Sequence, residues 1–528
     1  MVVKGTVKTG AYFDSVTLMV AARELSAKPG VQDAAVVMGT AENLAILKAS
    51  GLLCPEISKA GDTDLLISVK TADEASAKAA LAEAEALLKS VRQRKAKDSS
   101  YAPKSLETAL QILPGADLAL ISVAGRYAAQ VAREALDKGL HVMLFSDNVP
   151  VEAEVELKES ARGKGLLVMG PDCGTAIING VPLGFANAVS RGEIGIVAAA
   201  GTGLQEVSSI ISNEGAGISQ AIGTGGRDVK KEVGGIMFLE GLKALAEDEA
   251  TTVIVLVSKP PHESVLQKLG AAVKAVRKPV VAMFLGAEPK TVAGYGMTAA
   301  ATLEEAALLA AALAKGKSPD SVRDRLKRRD DELRDLALQE AGKSAKGQRF
   351  IRGLFSGGTF CGETQVIFRG LLREVFSNAP VSPSTELADA WKSQGHAVVD
   401  LGEDAFTVGR PHPMIDFSLR NRRIQDEAED PETAVILLDV VLGYGANLDP
   451  AGELAGAIAA ARRTASDAGR HLNFICSVTG TEKDPQVRSK MEAALREAGA
   501  LVLPTNAAAA RLAARIAKEL EKEARPVV

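Results

Sequence analysis

Two stretches of this sequence set small residues and a threonine where a strand should turn into a helix. The first, Gly195 to Val207, reads GIVAAAGTGLQEV, and the second, Leu354 to Val366, reads LFSGGTFCGETQV. A helix start offers unpaired N–H groups and a partial positive charge, and residues without bulk let a ligand approach closely. Phosphate or carboxylate is the natural guest. One such turn alone is as well explained by tight strand–helix geometry; the repetition favours a cradle. Both copies read G-T-x-x-x-E, with Thr202 and Glu206 in one and Thr359 and Glu363 in the other. Gly201, Thr202, Gly203, Gly358 and Thr359 are therefore the expected phosphate ligands. Each glutamate is expected to complete a capping box or to complement the dipole of its own helix.

Other residue types add chemistry. Lys259 follows an apolar strand and suits an anion partner, with a catalytic role; Arg227 follows a Gly-Gly turn and is expected to bind substrate. The segment Gly409 to Asp416, GRPHPMID, holds one histidine between two prolines, which stiffen the backbone and fix the ring. Arg410 there suits a bidentate grip on a carboxylate. His412, with an ordinary pKa near ~6.5, suits general acid–base work, and Asp416 completes the substrate-binding set. Arg420, Arg422 and Arg423 read as a solvated or interface cluster. Cys173 and Cys361 sit in strand-to-helix turns, where a thiol can be activated; with no histidine nearby in sequence, small-residue packing is the favoured reading.

Composition narrows the function classes. The 528 residues carry a net charge of −4 and are 47% hydrophobic and 24% charged, with only 4% aromatics. Such a chain is a globular α/β protein with Ala, Val, Leu and Ile cores, and nothing in it points to nucleic acid. Four scattered cysteines without a CxxC pair argue against disulfides or a zinc site, so no metal is expected and the compartment should be reducing. The start, MVVKGTVKTG, has no leader character, and the most apolar helix, Thr298 to Ala314, carries Glu304 and Glu305. A cytoplasmic protein without membrane contact is expected.

The elements that must position these residues follow a strand–helix rhythm. Residues 1–100 suit a ferredoxin-like α/β domain, with strands at Val2–Phe13, Val31–Met38 and Asp64–Lys70. Residues 101–190 suit a Rossmann-like domain of CoA-binding type. Two flavodoxin-like units follow, 191–315 and 349–528, joined by a charged, solvated helix and linker, 316–348. The second unit reads as an edition of the first. TTVIVLV at Thr251 matches TAVILLD at Thr433; Gly286-Ala287-Glu288 matches Gly480-Thr481-Glu482; Ile222-Gly223 matches Leu401-Gly402. An internal duplication is the simplest account, and a pseudo-two-fold would bring both helix starts toward one space.

The strings VMGPDCGTAIING, GEIGIVAAAGTGLQEV and AIGTGGRDV resemble the α subunit of succinyl-CoA synthetase, and the last unit is similar to the carboxyl-terminal domain of its β subunit. DLGEDAFTVGRPHPMID with LLDVVLGYGANLDP is more specific still and is similar to the FdrA family, over essentially the whole chain. The resemblance implies two succinyl-CoA-synthetase-type domains behind an extra amino-terminal domain. Departures from the synthetase are equally informative. Its phosphate-carrying histidine falls in a mobile loop that here reads KTVAGYGMTAA, with Tyr295 at that place, and its supporting glutamate is here Lys259. The glycine-rich CoA loop and the nucleotide-grasp portion have no counterpart. No cofactor is assigned to this chain: ATP and CoA are not expected, and carbamoyl phosphate enters as substrate. The FdrA resemblance implies carbamoyl transfer between carbamoyl phosphate and oxamate in allantoin nitrogen use, with companion subunits, in a homo- or hetero-oligomer. An acyl-CoA ligase that keeps the ancestral chemistry and a non-catalytic scaffold or regulatory subunit are the alternatives.

Overall fold

The computed structural model describes residues 1–9, 15–61, 63–98, 103–382, 385–407 and 410–523. Residues 10–13 of the expected first strand, 99–102 of the first linker, and Val408 and Gly409 lie outside the described residues. Contacts divide the chain into two compact units, Met1–Ala116 with Gly402–Asp416, and Asp117–Leu401 with Phe417–Val528. The segment that carries Arg410 and His412 thus groups with the amino-terminal unit, although sequence order places it in the last one.

The first unit alternates β1 (Val2–Lys8), α1 (Ser15–Ser26), β2 (Val31–Met38), α2 (Ala41–Ala49), β3 (Leu65–Thr71) and α3 (Glu74–Asp98), then α4 (Leu106–Ile112). Its three strands form an antiparallel sheet in the order β1-β3-β2. Alternation along β3 sends Leu65, Ile67 and Val69 to the face covered by α1 and α3, and Leu66 to the face under Leu47, Leu52 and Ile57.

The second unit opens with β4 (Leu118–Ile121), α5 (Gly125–Asp137), β5 (His141–Leu144), α6 (Val151–Gly163) and β6 (Val168–Met169), whose strands make a small parallel sheet. The hairpin of β7 (Thr175–Ile178) and β8 (Val181–Gly184) leaves that sheet and extends the next one.

The next sheet is built from β9 (Arg191–Ala199), α7 (Gly201–Asn213), β10 (Ile218–Gly223), α8 (Ile236–Glu247), β11 (Val253–Ser258), α9 (Glu263–Val273), β12 (Val280–Phe284), α10 (Pro289–Gly294), β13 (Thr298–Ala299) and α11 (Leu303–Ala314). Then come α12 (Pro319–Ala341), β14 (Phe350–Phe355), α13 (Gly358–Arg369), β15 (Ala397–Asp400), α14 (Asp404–Thr407), which belongs to the first unit, α15 (Ser418–Glu429), β16 (Thr433–Val441), α16 (Pro450–Asp467), β17 (Asn473–Thr479), α17 (Arg488–Glu497), β18 (Leu501–Leu503) and α18 (Asn506–Glu523).

Two strand orders decide the architecture. The first large sheet runs β13-β12-β11-β9-β10 before its hairpin, and the second runs β18-β17-β16-β14-β15. These are the same doubly wound topology, with all of these neighbours parallel. The expected duplication is therefore present at the level of hydrogen-bonded ladders. Near-continuous apolar runs such as β11 and β16 are buried along their full length, as strands covered on both faces must be.

Candidate functional site

Strand β9 stops at Ala199 and strand β14 at Phe355 because the following small residues change the backbone direction and start a helix. The N-cap positions, Ala200 and Gly357, provide no side-chain cap to α7 or α13. First-turn N–H groups have no intrahelical acceptor, so each start can receive an anion, from a ligand or from the protein itself. The two turns touch each other. A Cβ placed on Gly357 would lie 3.0 Å from Thr202 Oγ1, and one on Gly203 would lie 3.1 Å from Thr359 Cγ2. Each threonine thus packs on a glycine of the other half, and a Cβ at either glycine would press on it.

The ladders show that these neighbours are not equivalent. Leu256 stands opposite Val197 in one sheet and Leu438 opposite Leu354 in the other, so the next residues, Val257 and Asp439, are counterparts. Gly223 stands opposite Ala198, and Asp400 opposite Phe355, which shifts the pairing read from Ile222-Gly223 and Leu401-Gly402 by two positions. The α7 turn therefore has Val257 and Gly223 where the α13 turn has two aspartates. Asp439 accepts from the Ser356 N–H (2.9 Å), the Gly357 N–H (2.9 Å) and the Ser356 hydroxyl (2.8 Å), and wholly buried Arg420 pairs with it at 2.7 Å. The Asp400 carboxylate lies 2.6 Å from where a Cβ on Gly358 would sit.

The glutamates of the repeated motif do not serve their own helices. Glu206 on α7 accepts from the Asn506 N–H (3.1 Å) and the Thr479 hydroxyl (2.6 Å). Glu363 on α13 accepts from the Leu303 N–H (2.8 Å) and the Asn506 amide (2.8 Å). Each thus caps the first residue of the last helix of the opposite half, α18 or α11. The expectation of a capping box within one helix is corrected. Four residues after the threonine, the glutamate lies one turn into the helix and faces the partner half rather than the N-cap. Burial pushes both carboxyls up, with Glu363 raised to about 7, because a desolvated carboxylate costs more than these hydrogen bonds return.

Lys259, just past β11, is exposed, and its charge acts on the Cys361 thiol of α13, so it stands on the side of the paired turns. Arg227 is engaged elsewhere. Its Nε pairs with Glu154 at 2.9 Å and its Nη2 donates to the Val149 carbonyl at 2.8 Å. Glu154 also holds the fully buried Lys158, which binds Asp228 at 2.7 Å. This network ties α6 to the turn after β10, so Arg227 meets buried carboxylate rather than being held open for substrate.

In the other unit, Arg410 pairs with Asp33 of β2 at 2.8 Å, with both side chains largely buried, so its expected grip on a substrate carboxylate is taken by protein. His412 accepts the Met414 N–H on Nδ1 at 3.2 Å, and its carbonyl accepts the Ile415 and Asp416 N–H groups. The prolines and histidine thus staple a loop, with Asp416 as part of it.

Further expectations are settled by burial. Arg420 and Arg423 are 0% and 2% exposed, which corrects the solvated or interface reading for these two, while Arg422 is exposed; Arg423 pairs with Glu427 at 2.7 Å. Cys173 and Cys361 are buried, and desolvation pushes the first thiol up to about 12 and the second upward as well, so packing is their role. Tyr295 caps the end of α10 with its ring against Gly270 of α9 and the surrounding core. Sequence reading missed Asp439, Asp400 and Asn506, whose relevance comes only from long-range pairing, and Thr175. The Thr175 side chain lies 3.7 Å from where a Cβ on Gly201 would sit. Among the described residues, no cluster of His, Cys, Asp and Glu could hold a metal ion, and no helix is long and apolar enough to cross a membrane.

Comparison with known proteins places this geometry. Residues 354–516 match a family model described as CoA-ligase, residues 189–286 one described as CoA binding domain, and residues 1–104 one described as AllF, heavy metal-associated domain. The CoA-binding match thus falls on the β9–β12 sheet rather than on the small β4–β6 sheet. The Escherichia coli K12 protein YahF is 42% identical over 502 residues, 95% of this chain and 96% of its own. The α 1 subunit of the ADP-forming succinate–CoA ligase of Archaeoglobus fulgidus is 29% identical over 175 residues, 32% of this chain and 58% of that subunit. The crystal structure of PH0766 from Pyrococcus horikoshii OT3 aligns over 81% of this chain and 89% of its own, with 16% identity and a TM-score of 0.33.

Proposed function

This chain belongs to the FdrA family, in the succinyl-CoA-synthetase-like part of the acyl-CoA synthetase superfamily, and from that premise we propose that it is a carbamoyltransferase component. It moves a carbamoyl group between carbamoyl phosphate and oxamate, in the use of allantoin nitrogen, and works in the cytoplasm with companion subunits. The observation that carries this reading is the pair of Gly-Thr helix starts in mutual contact, while half-buried Tyr295, at the place of the carrier histidine, packs against the core. A scaffold that keeps its anion-binding helices and lacks a covalent carrier suits a reaction in which phosphate is itself a substrate.

In that reaction a phosphate oxygen attacks the carbamoyl carbon of carbamoyl-oxamate. The carbon–nitrogen bond to oxamate breaks, the oxamate nitrogen takes up a proton, and carbamoyl phosphate forms. The α7 start, whose turn carries no aspartate of its own, holds the phosphate with the charge it carries in the transition state, which is electrostatic catalysis by fixed dipoles. Lys259 adds a mobile positive charge at the same strand ends. The test is phosphorolysis of carbamoyl-oxamate by the purified chain, alone and with its companion subunits. The expected result is phosphate-dependent release of oxamate that falls at least ten-fold in Lys259→Ala. Turnover that stays at background with every companion present would refute the reading. The CoA-ligase and CoA-binding matches favour a second reading, an acid–thiol ligase, which predicts acyl-CoA formation from ATP, acid and CoA in the same preparation.

A further inference from the structure

We propose that the open edge of the small β4–β6 sheet pairs with the same edge of a second copy of this chain, so that two three-stranded sheets become one continuous sheet. The inference goes beyond the carbamoyl-transfer reading and does not depend on it.

In the two large sheets the first strand of the strand–helix series lies inside, β9 between β11 and β10, and β14 between β16 and β15. β4 opens its own series with the same apolar character, Leu118-Ala119-Leu120-Ile121, yet among the described residues it has β5 on one side and no strand on the other. The carbonyls of Asp117 and Ile121 accept from the His141 and Phe145 N–H groups on the β5 side. Alternate residues of a strand turn their backbone groups to opposite edges, so Leu118, Leu120 and Ser122 present N–H and C=O to the open edge. Such a row is a template for another strand, and proteins blunt it with charge or proline. Residues 118–123 contain neither.

The side chains along this edge are exposed as well. Leu120, Val123 and Tyr127 are 48%, 42% and 47% exposed, so three of the eleven exposed large apolar side chains among the described residues fall in one strand and the helix start after it. A cluster of this kind marks an interface. Charge selects the occupant. Asp117, just before β4, and Arg126, just after it, are both exposed, and neither makes an ion pair with a described residue; the Arg126 guanidinium lies over the Tyr127 ring at 4.9 Å. A two-fold axis through Leu120 sets the two strands antiparallel and brings Asp117 of each copy to the end that carries Arg126 of the other. The opposite charges then meet twice, while the same pairing satisfies the backbone and covers the apolar side chains.

Sedimentation velocity of the full-length chain tests this, with circular dichroism to show that each variant is folded. The expected species is a dimer, and Leu120→Lys, at an exposed position, weakens dimerisation roughly ten-fold or more. Asp117→Arg and Arg126→Asp each weaken it too, and the double variant, which restores opposite charges across the two-fold, recovers it. A wild-type monomer, including one whose edge is taken by a companion subunit instead, would overturn the inference. So would a dimer indifferent to Leu120→Lys, or a double variant that dimerises no more tightly than the single ones.

Discussion

Glu363 sits at the centre of the contact between the two halves, beside Glu206 and bonded to Asn506. Burial raises its carboxyl from an ordinary 4.5 to about 7 in the folded chain. The folded state therefore binds a proton that the unfolded chain has released, so the stabilising effect is complete below pH 4.5 and is lost as pH rises through about 7. The upper bound is roughly 3 kcal/mol, and coupling to Glu206 spreads the step. Denaturant titrations between pH 4.5 and 8 should show stability falling across that window, and Glu363→Gln should flatten the slope; an unchanged slope would contradict the assignment. Cys173 and Cys361 are expected to resist thiol reagents in the native protein and to react only after denaturation, because burial holds both thiols protonated. At this scale the sequence was informative about identity and poor about engagement. The Gly-Thr pairs stand where their spacing implied. Arg227 and Arg410 were read as open forks because neither Glu154 nor Asp33 is visible as a partner without the fold.

The element most altered by the structure is α12. Its charge of both signs reads as a solvated helix and linker; the helix is there, yet it docks along α18 with Val322, Leu333 and Ala337 buried. Arg515 donates from Nη2 to both oxygens of Asp330 at 2.7 Å, and Arg325 makes a bidentate pair with Glu214 at the end of α7. One face of α12 thus bridges the two halves, while the exposed face accounts for the polar composition. Leu333→Ala should cost about 2–5 kcal/mol, measured as a lowered denaturation midpoint; a change under 0.5 kcal/mol would mean the helix is not docked. The β-strands were far easier to read. Runs such as TTVIVLV and TAVILLD have one meaning in a sheet covered on both faces, and their repetition exposed the duplication. The two-residue offset after β10 and β15 was not legible, because register is set by backbone pairing and the glycines there align equally well either way.

At the scale of the whole chain, the FdrA-type duplication brings two helix starts into contact, and Tyr295, half-buried, packs against the core. The two halves are joined by exchange: each threonine packs on the other half's glycine, and each glutamate caps the other half's last helix. Such reciprocity resists sliding of α7 past α13. Sequence alone indicated that the halves should face each other, since a repeated motif invites a pseudo-two-fold, but not that one turn supplies its own anion. The central claim is that phosphate is held here as a free ligand and never as a covalent adduct of the chain. Its most direct test is incubation of the full-length protein with γ-labelled ATP and with labelled phosphate plus acyl-CoA, followed by mass measurement of the intact chain. The account predicts an unmodified mass and no acid-labile label in either case; a stoichiometric gain of one phosphoryl group would contradict it.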